Sequence, residues 1–112
     1  MPSDSPTIFE RIVAREIPAD IVFESDCLIA FRDIAPQAPV HILVVPKTAE
    51  YANVTELAAG DPGLLAEIVE TAGQLADGDF RLVFNTGEGA GQTVFHVHAH
   101  VLAGGLAEGS LA

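Results

Sequence analysis

Three of the four histidines of this 112-residue chain stand in one run, His96-Val97-His98-Ala99-His100. On a β-strand, alternate side chains share a face. The three imidazoles are thus expected on one side, about 6.5–7 Å apart, and Val97, Ala99 and Val101 on an apolar side that packs inward. Three chemistries suit such a row. The rings can serve as structural hydrogen-bonding groups. They can ligate zinc, with His41 as a third or fourth ligand, although the one cysteine, Cys27, is not close in sequence to complete a structural site. Or the middle ring, His98, can act as a nucleophile on phosphorus. That role requires its other nitrogen to be held by an acceptor, with donors for the phosphoryl oxygens and an acid for the leaving group.

The segment directly before the run, Asn85-Thr86-Gly87-Glu88-Gly89-Ala90-Gly91-Gln92-Thr93, favours the third chemistry. Glycines allow close backbone approach and can turn N–H groups toward an anion. Thr93 adds a hydroxyl, and Asn85 and Gln92 add amides. A zinc site has no need of such a loop.

The elements that must position these groups follow from patterning. Ser5-Pro6 reads as an N-cap and first turn, and Ile8, Phe9, Ile12 and Val13 follow at helical spacing. Ile17-Pro18 is expected to end that helix. Ile21 to Glu24 and Leu28 to Arg32 read as strands of a hairpin turned at Ser25-Asp26. Asp33 to Pro39 reads as a loop, and His41 to Val45 as a third strand closed by Pro46. Asp61-Pro62 opens a second helix with an apolar stripe over Leu64, Leu65, Ile68, Val69, Ala72, Leu75 and Ala76, stopped at Asp77-Gly78-Asp79. Phe80 to Phe84 and Val94 to Leu102 are the fourth and fifth strands. The expected fold is α+β: five largely antiparallel strands and two helices, in one domain over residues 1–112 with a core at about 7–105 and loosely held tails.

Gly91-Gln92-Thr93-Val94-Phe95-His96-Val97-His98-Ala99-His100-Val101 resembles the signature of the histidine triad (HIT) superfamily. The nearest likeness is to its branch of nucleotide-binding proteins, purine nucleoside phosphoramidases. Thr7-Ile8-Phe9, Glu16-Ile17-Pro18, Phe31, Asp33-Ile34-Ala35-Pro36-Gln37-Ala38-Pro39 and His41 to Lys47 extend the likeness over roughly residues 7–105. The resemblance implies a five-stranded antiparallel sheet with two helices, paired in a homodimer. It implies His98 as nucleophile, His96 and His100 supporting it at the phosphate, and His41 hydrogen-bonded within the triad. Asp33 would take the ribose hydroxyls. Asn85, Gly91, Gln92 and Thr93 would surround the phosphate, and Ile8, Phe9, Phe31, Ile34 and Leu43 would line the base pocket. The implied reaction is cleavage of the P–N bond of purine nucleoside phosphoramidates, releasing AMP or GMP without metal or other cofactor. A dinucleoside polyphosphate hydrolase and a non-catalytic nucleotide-binding scaffold are the alternatives. Lys47-Thr48-Ala49, a second helix about a turn short, and a tail from Gly105 to Ala112 without tryptophan depart from the pattern and leave the leaving group open.

Composition bounds the rest. A formal charge of −11, with only Arg11, Arg15, Arg32, Lys47 and Arg81 as cations, argues against nucleic-acid and anionic-membrane partners, which bind clustered Lys and Arg. The same acidity gives an anionic nucleotide no long-range steering, so any phosphate site must use local donors. A single cysteine excludes an intramolecular disulfide and suits a reducing compartment. With no basic run and apolar segment at the N-terminus and no run long enough to span a bilayer, a soluble cytoplasmic protein is expected.

Overall fold

A computed structural model describes residues 6–106. Five strands, β1 (Ile21–Glu24), β2 (Leu28–Arg32), β3 (Val40–Pro46), β4 (Arg81–Val83) and β5 (Ala99–Ala103), form one antiparallel sheet in the order β1-β2-β3-β5-β4. β2 and β3 are buried along almost their whole length because both faces of the sheet centre are covered. Helix α3 (Pro62–Ala76) covers one face, where Leu28, Ala30, Ile42, Val44, Val97, Ala99 and Val101 meet Leu64, Ile68 and Ala72. Helix α1 (Ile8–Val13) covers part of the other, where Phe9 and Ile12 meet Ile29, Phe31, Leu43 and Val45. Alternate residues of both central strands thus enter opposite cores.

Among the described residues there are three α-helices where two were expected. The extra one, α2 (Val54–Gly60), is only 7 residues long. Its local signal is Asn53, whose side chain accepts from Glu56 N at 2.9 Å, and its anchor is the fully buried Leu57. α3 begins as read: Asp61 caps Leu64 N, and Pro62 occupies the first helical position, where its missing N–H is no loss. It ends at Asp77, in the left-handed region at φ 50°.

α1 departs from expectation at both ends. Its N-cap is Thr7, which forms a full capping box with Glu10; Ser5 lies outside the described residues. The helix stops at Val13, well before Ile17-Pro18. Arg15 adopts φ 63°, with Arg15 N and Glu16 N bonded back to the carbonyls of Ile12 and Arg11. This is a Schellman stop built without glycine.

The fifth strand is shorter than expected, and its missing half carries two of the three triad histidines. β3 and β5 pair from Val40↔Ala103 to Val44↔Ala99. Continuing that register would set Pro46 against Val97, and proline has no N–H to give the ladder. Residues 94–98 leave the sheet instead, and Val97 N donates to Tyr51 O at 2.9 Å. Val97 still points into the α3-side core, so alternation survives where pairing does not.

Ile68→Ala should lower the unfolding free energy by about 2–5 kcal/mol in urea titration, because it empties a fully buried site. Ile34→Ala, at a fully exposed residue, should stay within about 0.5 kcal/mol.

Candidate active site

Backbone carbonyls and amides fix the state of the four histidine rings one after another. Pro46 O lies 2.7 Å from His96 Nε2. A carbonyl can only accept, so His96 carries its proton on Nε2. His96 O lies 2.9 Å from His98 Nδ1, so His98 is protonated on Nδ1 and Nε2 keeps its lone pair. Gln37 N donates to His41 Nδ1 at 3.0 Å, which leaves the His41 proton on Nε2. That proton points to His100 Nδ1, 2.9 Å away, and the neutral His100 ring in turn carries its proton on Nε2.

For His96, His98 and His100 the neutral state is favoured because burial disfavours the imidazolium. Burial lowers the pKa of His96, against a partial opposing effect of its bond to Pro46. Burial also lowers that of His98, opposed by the His96 carbonyl and the Asp33 charge. His100 falls furthest, from 6.5 to about 4, through burial and then the like-charge repulsion that its imidazolium would meet beside His98 and His41.

α1 closes the site from above. Phe9 packs in a T-shaped arrangement on both His98, at a centroid distance of 4.8 Å, and His96, at 5.7 Å. It also packs on Phe31 at 5.8 Å. His98 and His100 lie 5.1 Å apart. The four rings and Phe9 thus form one cluster on the α1 side of the sheet, with His41 contributed by β3 and His100 by β5.

The loop between β2 and β3 adds Asp33. Its Oδ1 accepts from Ala35 N at 2.8 Å, and its Oδ2 lies 3.5 Å from His41 Nε2. Ligand atoms of Asp33, His41 and His100 all lie within 4.8 Å of one another, close enough to share a metal ion. Both His41 nitrogens are already hydrogen-bonded, so a cation bound there would replace one of those bonds.

The glycine-rich segment corrects one expectation. Three of its N–H groups, that of Gly91 among them, are turned inward: Ala90 N and Gln92 N both donate to Gly87 O, and Gly91 N donates to Glu88 O. A turn of 3-10 helix at Glu88–Ala90, with Gly87 and Gly91 at φ 88° and 91°, takes up these three N–H groups. Gln92 likewise does not offer its amide to a ligand. It is buried, accepting from Gly87 N at 2.8 Å and donating to Ala52 O and Val94 O at 2.6 and 3.0 Å. It is a staple that shapes the loop. Thr93 is exposed and Asn85 half-buried.

The apolar residues expected around a base divide. Phe9, Phe31 and Leu43 are buried together. Ile8 is half-exposed, and Ile34 is fully exposed rather than packed beside them. The ties of Asp33 N to His41 O and Gln37 N to His41 Nδ1 bind the loop by its polar groups and leave Ile34 outside. The residue sequence reasoning missed is Thr7, whose Oγ1 lies 2.9 Å from His96 Nδ1. The capping-box spacing Thr7-x-x-Glu10 was the available signal, but nothing local linked it to a histidine 89 positions away.

The HIT domain family matches residues 14–105, and the chain belongs to that family. It is 50% identical over 103 residues to an uncharacterised HIT-like protein of Synechococcus elongatus, covering 88% of this chain and 90% of that one. It is 40% identical over 104 residues to the purine nucleoside phosphoramidase of Escherichia coli K12, covering 88% and 87%. A HIT family hydrolase from Legionella pneumophila superposes with a TM-score of 0.84 at 43% identity, covering 90% and 95%.

The lowered His100 pKa ties stability to pH. Between about 4 and 6.5 the unfolded chain binds a proton at this position that the folded chain refuses, so stability rises with pH across that window. Urea titrations at pH 5 and pH 7 should find the protein weaker at pH 5, and His100→Gln should reduce the difference.

Proposed function

We propose that this protein hydrolyses the P–N bond of purine nucleoside phosphoramidates, with His98 as nucleophile, releasing AMP or GMP. The observation that carries this reading is the bond from His98 Nδ1 to the His96 carbonyl, which leaves Nε2 as a neutral nucleophile. The likeness to the E. coli phosphoramidase supports the choice of substrate class.

In the first step the Nε2 lone pair forms a bond to phosphorus, and the P–N bond breaks with its electron pair going to the departing amine, which takes up a proton. In the second, water attacks phosphorus and gives up a proton to solvent, replacing the one the amine took up; the Nε2–P bond breaks with its electron pair returning to Nε2, and the monophosphate leaves. The neutral His100, with its proton on Nε2, is suited to donate to a phosphoryl oxygen as charge builds there. Thr93 and Asn85 would supply further donors. Asp33 would accept from the ribose hydroxyls, with Phe9, Phe31, Leu43, Ile8 and Ile34 around the base. No step calls for a metal ion. The working form would be a cytoplasmic homodimer. No helix among the described residues is long and apolar enough to cross a membrane.

AMP release from an adenosine phosphoramidate, with chelator present, tests the reading. His98→Ala should lower kcat/KM by more than about 10³-fold, or roughly 4 kcal/mol of transition-state stabilisation. A wild-type protein that binds AMP but turns nothing over would overturn the enzymatic reading. Loss of activity with the chelator that zinc restores would overturn the metal-free one.

Because His98 must be neutral to attack and its pKa lies below the ordinary 6.5, the acid limb of kcat/KM should fall below pH 6.5. A limb at or above 6.5 would mean that the burial of His98 does not govern its protonation.

A further inference from the structure

The inner side of His96 is held by a residue from the far end of the chain. Thr7 Oγ1 stands 3.1 Å from Glu10 N and 2.9 Å from His96 Nδ1. The amide of Glu10 can only donate, so the hydroxyl oxygen accepts there. Pro46 O holds the His96 proton on Nε2, so Nδ1 carries a lone pair and the Thr7 hydroxyl donates its proton to it. His96 is wholly buried, and a buried ring nitrogen without a donor would be unsatisfied. Among the described residues no buried side-chain nitrogen or oxygen is left in that state.

The hydroxyl therefore does two tasks with one group. It caps α1, whose Phe9 rests on His96 and His98. It also locks the ring whose own carbonyl orients His98. A helix cap alone would not need the second contact, since the capping box is complete within Thr7 and Glu10.

We propose that Thr7 is a positioning residue of the triad: its hydroxyl holds His96 in the Nε2–H form, and through the His96 backbone it sets the aim of His98. The effect on turnover rests on the role proposed above for His98; the effect on the His96 ring does not.

The test compares Thr7→Gly, Thr7→Ser and Glu10→Ala. Glycine is tolerated at an N-cap nearly as well as threonine, so the first variant removes the donor with little loss of the cap. Serine restores the hydroxyl. Glu10→Ala breaks the other half of the capping box and leaves the hydroxyl in place. Thr7→Val, of matching shape, repeats the donor deletion should the glycine variant fold poorly. Two readouts are taken: imidazole ¹⁵N shifts, which report the tautomer of His96, and kcat and KM for an adenosine phosphoramidate.

In Thr7→Gly the His96 shifts should move away from a pure Nε2–H ring, and kcat should fall about tenfold to 10²-fold with KM little changed, as for a slightly misaimed nucleophile. Thr7→Ser and Glu10→Ala should keep the wild-type shifts and kcat. Unchanged His96 shifts and kcat in Thr7→Gly would overturn the proposal. So would an equal loss in Glu10→Ala, which would make the effect one of helix stability, or a failure of Thr7→Ser to restore the wild-type behaviour. If the wild type turns over no phosphoramidate while Thr7→Gly still disturbs the His96 ring, the hold on His96 stands and the reaction assigned to His98 falls.

Discussion

The hydrogen bond from the His96 ring to the carbonyl of Pro46 is where the sheet gives way to the site. β3 has no donor to offer at Pro46, so β5 cannot pair with it there, and the chain must satisfy that carbonyl by other means. A side chain does so. By taking the carbonyl, His96 fixes its own tautomer and holds the irregular segment against the end of β3. Its backbone carbonyl is thereby left free of the ladder and available to His98. Had β5 continued as a regular strand, that carbonyl would have pointed along the ladder toward a neighbouring strand, with no freedom to orient an imidazole.

The proton positions then form two chains that meet at the site. One runs from the Pro46 carbonyl to His96, and from His96 to His98 through the His96 carbonyl. The other runs from Gln37 N to His41 to His100. Each begins at a group that can only donate or only accept, which is why no ring is left to choose its tautomer. Burial keeps all three triad rings biased to the neutral form. A cluster of imidazoles this close would repel itself if charged, so the same burial that prepares a neutral nucleophile also lets the rings lie together.

The histidine run, the alternation that sends Val97, Ala99 and Val101 to the core, the five strands and the start of α3 were legible in the sequence. Each depends on local periodicity or on residues such as Asp61-Pro62 whose effect is confined to one turn. The family likeness, too, was carried by contiguous motifs. What failed failed for non-local reasons. The end of β5 was decided by a proline on another strand. The glycine-rich segment turned the N–H groups of Ala90, Gly91 and Gln92 inward on a 3-10 turn, which glycine content alone does not reveal. Gln92 was buried by a carbonyl of Ala52, forty positions away.

The sequence by itself thus determined which chemistry was available: imidazoles in a row, a carboxylate on a loop, hydroxyl and amide groups beside them. Side-chain type and period-two spacing are enough for that. Only the tertiary structure decided which nitrogen of each ring holds its proton, because that is set by the single carbonyl, amide or hydroxyl that each nitrogen meets. Those partners, Pro46, Gln37 and Thr7, lie on β3, on the loop before it and at the cap of α1. The folded chain alone brings them together.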